Sequence, residues 1–227
     1  MAFAVTPPSI PSVPVVTGQL FPVRRIFCVG RNYAAHVREM GGDPDREPPF
    51  FFTKPADAVL LSGNAMPYPP GTNDLHHEIE LVVAMGKGGD HIPESRALES
   101  VFGYAVGIDM TRRDLQNDAK KHGRPWDMAK GFDYSAPIGP IHPVSTVGHP
   151  SDAPIRLAVN GQTRQDGNLA DMIWPVAAII AYLTTLITLR PGDLIYTGTP
   201  DGVGPVSRGD RMLGSIEGLG TLEIMVD

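Results

Sequence analysis

Cysteine is almost absent from this 227-residue chain. Cys28 stands alone, so an internal disulfide is excluded, and so are the zinc sites built from several cysteines. Aromatic residues make up only 7% and charged residues 19%. Positive charge is the scarcer sign, with 19 Lys and Arg against 25 Asp and Glu and a formal charge of −6. Non-specific nucleic-acid binding runs on counterion release by clustered cations, which an acidic chain lacks. The short nucleotide and nucleophile motifs are missing as well: no P-loop, no dinucleotide fingerprint, no nucleophile elbow and no CxxC pair.

A membrane span is also lacking. The uncharged run Met172–Leu189 reaches eighteen residues, near the lower limit for crossing a bilayer, but it holds Pro175 near its start and Thr184, Thr185 and Thr188 near its end. Within it Ile173, Ala177, Ile180, Leu183 and Ile187 recur at helical spacing, the pattern of a helix packed into a soluble core, with Pro175 suited to its first turn. Met1–Pro22 carries no charge and five prolines, without the basic region of a secretory signal, and reads as an extended arm over residues 1–20. The expected location is cytoplasmic.

What the chain has in quantity is glycine and proline, 25 and 23 residues, short of the level at which packing fails. Its length suits a single domain over residues 21–227 that buries roughly 70% of its unfolded surface. Neither internal repeats nor low-complexity segments follow the arm. Short apolar runs read as strands: Arg25–Val29, Pro49–Thr53, Ile79–Met85, Phe102–Ile108, Ile155–Val159, Asp193–Thr197 and Thr221–Val226. Turns are expected at Pro70-Gly71, Asn160-Gly161, Asp166-Gly167 and Pro191-Gly192. Helical signals are few. Asn32 is placed to cap a helix over Tyr33–Met40, closed by Gly41-Gly42, and Thr111 with Asp114 resembles a capping box for a helix running to Gly123. Strands and helices do not alternate regularly, so the expected class is α+β, mostly β, rather than a doubly wound parallel sheet.

The most informative stretch is His76-His77-Glu78-Ile79-Glu80-Leu81-Val82-Val83-Ala84-Met85. As a strand it puts Glu78 and Glu80 on one face, and the residues that follow are apolar on both faces. Two buried carboxylates at this spacing repel each other, and a shared cation relieves them; oxygen-only ligands favour Mg²⁺, Mn²⁺ or Ca²⁺ over zinc. The competing reading is an edge strand whose acids face water. Asp109, between an uncharged strand and the Thr111 helix, supplies a third carboxylate, or else is an acid favoured by a helix N-terminus. His36 and Glu39 share a helix face at i, i+3, which orients an imidazole for proton abstraction from water, or is an exposed ion pair. Lys130 offers a fixed charge for an oxyanion, or a snorkelling surface lysine. The Gly/Pro loop Tyr196–Pro205 has backbone N–H groups and the Thr199 hydroxyl with which to hold a carboxylate.

Taken in order, several segments resemble the fumarylacetoacetate hydrolase superfamily: Cys28–His36, Phe52-Thr53-Lys54-Pro55, Glu78-Ile79-Glu80-Leu81, Gly107–Gln116, Ala129–Asp133, Leu169–Ile173 and Leu189–Pro205. The match runs from about residue 20 to the C-terminus. The stretch Asp43–Phe52 further resembles bacterial fumarylpyruvate hydrolases of gentisate degradation. The resemblance implies a β-roll, a mixed β-sandwich with a few short helices, usually a homodimer. It implies Mg²⁺, with Mn²⁺ or Ca²⁺ substituting, on Glu78, Glu80 and Asp109. It makes His36 and Glu39 a water-activating dyad on a lid helix, and brings Lys130, Arg113, Gln116 and Thr199 to substrate oxygens.

The expected reaction is hydrolysis of a carbon–carbon bond in a 2,4-diketo acid, with fumarylpyruvate yielding fumarate and pyruvate. Rivals on the same scaffold are an oxaloacetate decarboxylase, a 2-hydroxymuconate-type isomerase, and a non-catalytic keto-acid-binding protein. Arg24, Arg31, Arg38 and Arg46 are candidates for a distal substrate carboxylate.

Overall fold

The computed structural model describes residues 3–41, 43 and 48–227. Its strands among these residues form four sheets. The largest is eight-stranded and runs Phe50–Lys54, Arg25–Gly30, Asp193–Tyr196, Ile79–Met85, Val101–Ile108, Ala136–Ile138, Val59–Leu61, with His142–Pro143 also pairing with Val101–Ile108. A five-stranded sheet runs Gln162–Asn168, Pro154–Val159, Arg211–Ile216, Gly220–Val226, Ala65–Met66 and packs against it. A three-stranded sheet joins Thr111–Arg112, Leu75–His77 and Gly204–Val206 at the edge of the site.

Ile79–Met85 explains why the sequence reads apolar on both faces there: all seven residues are buried, and each face meets its own core. Ile79, Leu81, Val83 and Met85 enter the larger core with Ile155, Leu157, Met212, Leu222 and Ile224 from the five-stranded sheet. Val82 and Ala84 enter a second core with Ile26, Cys28, Ala105 and Tyr196. Period two therefore sends Glu78 and Glu80 to the side of the second core, where the strand's start opens into a cleft. The helix Val176–Leu186 packs Ile179, Ile180 and Leu183 into the larger core, with Pro175 as its N-cap residue rather than within its first turn. No helix among the described residues is long and apolar enough to cross a membrane.

Several local expectations are corrected. Asn160-Gly161 is the hairpin turn between Pro154–Val159 and Gln162–Asn168, with φ of 52° and 78°, the left-handed pair that a two-residue turn demands. Asp166-Gly167, by contrast, lies inside the second of these strands. Asn32 caps nothing: its amide donates to the carbonyls of Trp174 (3.0 Å) and Thr197 (2.7 Å) and accepts from the N–H of Trp174 (2.7 Å). The helix begins after Tyr33 and spans Ala34–Glu39; its expected closing residue Gly42 lies outside the described residues. Thr111 is not a cap either, since it pairs with His76 in the small sheet and the helix runs Arg113–Lys121. In the N-terminal arm Ser12–Pro14 pairs with Leu20–Pro22, and Val13, Val15 and Phe21 enter the second core.

Candidate active site

Glu78 sits at the junction of the strands Leu75–His77 and Ile79–Met85, Glu80 lies in the second, and Asp109 directly follows Val101–Ile108. The pairing of the last two strands continues past their ends through a hydrogen bond from Asp109 N–H to the Glu78 carbonyl at 2.8 Å. One carboxylate oxygen from each of the three residues lies within 4.8 Å of the others. All three side chains are buried, so these are not acids on a water-facing edge. Nor does Asp109 serve a helix N-terminus, because the helix begins only at Arg113.

Three buried cations surround the trio. Lys130 Nζ donates to Glu78 Oε2 at 2.7 Å and to Asp109 Oδ2 at 2.8 Å, so it is not a snorkelling surface lysine. Arg113 Nη2 donates to Glu78 Oε1 at 2.6 Å. Lys54 Nζ lies 2.7 Å from Asp109 Oδ1 as an ion pair, off the angle a hydrogen bond requires, so that buried oxygen accepts no hydrogen bond. Burial alone raises the Glu78 pKa, yet Lys130 and Arg113 overcome it and hold the carboxyl well below its usual range. Glu80 is ion-paired with none of these; burial, then Asp109 and Glu78, push its pKa well up, against a hydrogen bond from the N–H of Gly198 at 2.8 Å and the weaker field of Lys130. Gly198 has φ +95°, and a Cβ there would lie 2.7 Å from that of Asn32, so glycine is required where the loop donates to Glu80. An oxygen-only donor set, one carboxylate uncompensated and one oxygen without a hydrogen-bond donor, fits a hard divalent cation.

Across the cleft, His36 Nδ1 is 3.2 Å from Glu39 Oε2, while Glu39 Oε1 accepts the N–H of Gly202 at 3.1 Å. His36 is only 7% exposed, so the pair is not a free surface ion pair. A carboxylate partner assigns the proton to Nδ1 and leaves Nε2 as the basic nitrogen. The Thr199 hydroxyl accepts from Gln165 Nε2 at 2.8 Å, which leaves its own O–H to donate. Gln116 accepts from Arg113 Nη1 at 2.6 Å. His36, Glu78, Glu80, Arg113, Gln116, Lys130 and Thr199 all line one cleft that opens to solvent.

Of the arginines suggested for a distal carboxylate that lie among the described residues, only Arg31 lines this cleft. Arg24 is held by Asp193 at 3.1 Å, beside the opposite end of the strand Arg25–Gly30. Arg38 is exposed on the helix and does not line the cleft, and Arg46 lies outside the described residues.

Sequence reasoning assigned no role to three further residues. Lys54 stands in a segment that carries the family resemblance, but its role was unreadable because its contact with Asp109 joins distant parts of the chain. Gln165 accepts from the N–H of Ile79 and pairs with His77 Nδ1, both at 3.0 Å, and so ties the start of the Glu80 strand to Thr199. It carried no local signal, since it is the buried residue of a strand whose neighbours, Arg164 and Asp166, are exposed. Lys120 was readable, since it follows Arg113 by seven residues and Gln116 by four and so shares their helix face. Lys120 lines the cleft with its ammonium 5.2 Å from the Trp126 ring centroid. Partial desolvation, then Arg113 and Arg31, bring its pKa down to about 8.

Three buried carboxylates whose oxygens could share a divalent cation, with His36 and several cations lining the same cleft, define an enzyme site for a small molecule. The particular family follows from comparison. The profile described as "Fumarylacetoacetate (FAA) hydrolase C-terminal" matches residues 25–227, and the chain belongs to that family. It is similar to the crystal structure of fumarylpyruvate hydrolase from Pseudomonas aeruginosa in complex with Mn²⁺ and pyruvate, with TM-score 0.97 and 55% identity over 99% of each chain. It is 44% identical to the mitochondrial oxaloacetate tautomerase FAHD1 of Homo sapiens, over 90% of this chain and 92% of that one. A 5-carboxymethyl-2-hydroxymuconate delta-isomerase from Mycobacterium smegmatis superposes with TM-score 0.81 and 37% identity, over 91% of this chain and 80% of that one. The mostly β fold with few helices agrees with these neighbours, so the family holds both hydrolases and isomerases on one scaffold.

Proposed function

We propose that the protein hydrolyses the carbon–carbon bond between the acyl group and the pyruvate unit of an acylpyruvate, with fumarylpyruvate giving fumarate and pyruvate in gentisate breakdown. The observation that carries this reading is His36, held 3.2 Å from Glu39 and lining the same cleft as Glu78 and Glu80 of the trio. Glu78, Glu80 and Asp109 hold the cation, Mg²⁺ or Mn²⁺. When bound, it supplies Lewis-acid polarisation of the substrate's oxygens and neutralises the carboxylates.

Arg113, Gln116 and Thr199 orient the substrate's pyruvate end by hydrogen bonds to its oxygens, fixing the C4 carbonyl near His36. Glu39 keeps the Nδ1 proton in place, and His36 Nε2 takes a proton from a water as its oxygen attacks C4. The Lys130 ammonium stabilises the negative charge that develops on oxygen during attack. The C3–C4 bond then breaks with its electrons moving to the pyruvate fragment, which is protonated at C3. A homodimer belongs to this reading through the family resemblance.

A second reading is tautomerisation of oxaloacetate, favoured by the 44% identity to an enzyme of that name. This activity was not among the sequence expectations; it needs proton relocation but no attacking water. Product analysis in H₂¹⁸O, with fumarylpyruvate, other acylpyruvates and oxaloacetate, with and without Mn²⁺, decides between the two. Stoichiometric pyruvate with label in the released acid is the expected result. Enol–keto conversion of oxaloacetate without cleavage of any acylpyruvate would overturn the hydrolase reading.

A further inference from the structure

The cations of the cleft are unequally employed. Arg113 and Lys130 are both committed to Glu78, and Lys130 to Asp109 as well. Lys120 lines the same cleft, and no carboxylate among the described residues lies within ion-pair distance of it. Its ammonium is instead placed over the Trp126 ring and in the field of Arg113 and Arg31. The aromatic face attracts the ammonium, but partial desolvation and the neighbouring cations oppose its charge, so an arriving anion finds it without a carboxylate partner.

The helix Arg113–Lys121 also sets a length. Arg113 is fixed at the carboxylate trio, and Lys120 follows two turns later, about 10 Å further along the axis. An extended seven-carbon chain has six bonds at roughly 1.2 Å of rise each and spans about 7 Å between its terminal carbons. The carboxylate oxygens and the flexible lysine stem cover the remainder. We propose that Lys120 is a specificity-determining residue that receives the distal carboxylate of a dicarboxylic oxo acid whose oxo-acid end sits at the trio. This rests on the acylpyruvate reading for the placement of that end and assigns the chemistry of the other end, a charged acyl group. The lowered ammonium pKa accords with it, because a bound carboxylate favours the charged form that desolvation and the neighbouring cations oppose.

Binding of two non-cleavable ligands of equal length, 2-oxoheptanedioate and 2-oxoheptanoate, to the Mn²⁺-loaded protein tests this by calorimetry. The two differ only in carboxylate against methyl at the far end. A hydrogen bond to a charged partner corresponds to a preference of about tenfold or more for the diacid in the wild type. Lys120→Met should bring the ratio of dissociation constants to about one, with the loss carried by the diacid, and Lys120→Arg should retain the preference. A wild type without preference, or a ratio unchanged in Lys120→Met, would overturn the assignment. So would equal weakening of both ligands. The ratio does not depend on turnover, so failure of the hydrolase reading shows separately, as wild-type protein that cleaves no acylpyruvate.

Discussion

Replacing Lys130 by Met removes one ammonium from between two buried carboxylates while keeping its apolar stem. Lys130 is 2% exposed and sits 2.7 Å from Glu78 Oε2 and 2.8 Å from Asp109 Oδ2. Breaking a buried ion pair from one side costs about 3–5 kcal/mol, because the remaining charge is left uncompensated. A divalent cation offers those oxygens the compensation they lost. Mn²⁺ at a thousand times its dissociation constant stabilises a folded protein by about 4 kcal/mol, close to the deficit. In the wild type Lys130 already neutralises Glu78 and Asp109, so the same ion gains less there. Urea unfolding of both proteins, in chelator and in saturating Mn²⁺, reads the difference. The variant should lose about 3–5 kcal/mol in chelator, recover most of it with Mn²⁺, and turn over poorly in either condition. A variant as stable as wild type without metal, or one that gains no more from Mn²⁺ than wild type does, would refute the electrostatic reasoning.

Lys54→Met should behave differently: a comparable loss of about 3–5 kcal/mol in urea unfolding, but little rescue by Mn²⁺. The reason is that Lys54 also donates to the carbonyls of Met110 and Lys130, which a cation at the trio does not reach. His36→Ala should lower kcat by about 10²–10⁴ in a steady-state assay, and Glu39→Gln by less, since it leaves the imidazole in place. His77 is buried with its pKa pushed down to about 4, below the ordinary His value near 6.5. The unfolded chain therefore binds the proton first, and stability present above pH 6.5 falls by about 3 kcal/mol as pH drops to 4. In His77→Asn, which keeps a donor for Gln165, denaturation across that pH range should show a correspondingly smaller fall.

The carboxylate trio was legible because Glu78 and Glu80 stand alone at i, i+2 ahead of a strand apolar on both faces, and burial leaves such acids few options. Asp109 was legible from its place at the end of a second uncharged strand. The local caps were misread for one shared reason. Asn32 and Thr111 have the chemistry of helix caps, yet tertiary pairing decides where they sit: the Asn32 amide bonds to Trp174 and Thr197, and the Thr111 backbone is drawn into a strand beside His76 while its hydroxyl donates to the Asp109 carbonyl. Propensity is a local preference, and a tertiary partner displaces it. The lysines divide along the same line: Lys120 repeats on one helix face and was readable, whereas Lys54 meets Asp109 only through the folding of the sheet.

The hydrogen bond from Asp109 to Glu78 has a consequence for how this chain tolerates changes of length. Ile79 pairs with Ile108 and Glu80 with Gly107, so the trio's alignment is inherited from the ladder itself. Gly107 leaves little slack, because a Cβ there would lie 2.4 Å from Val82 Cγ2 and 2.7 Å from the Tyr196 ring. Adding or deleting one residue within either strand turns the carboxylates toward hydrocarbon and hydrocarbon toward the cleft. Insertions and deletions that preserve chemistry are thereby confined to the connections, and descendants of this scaffold are free to vary the rim of the cleft while the spacing of its floor stays fixed.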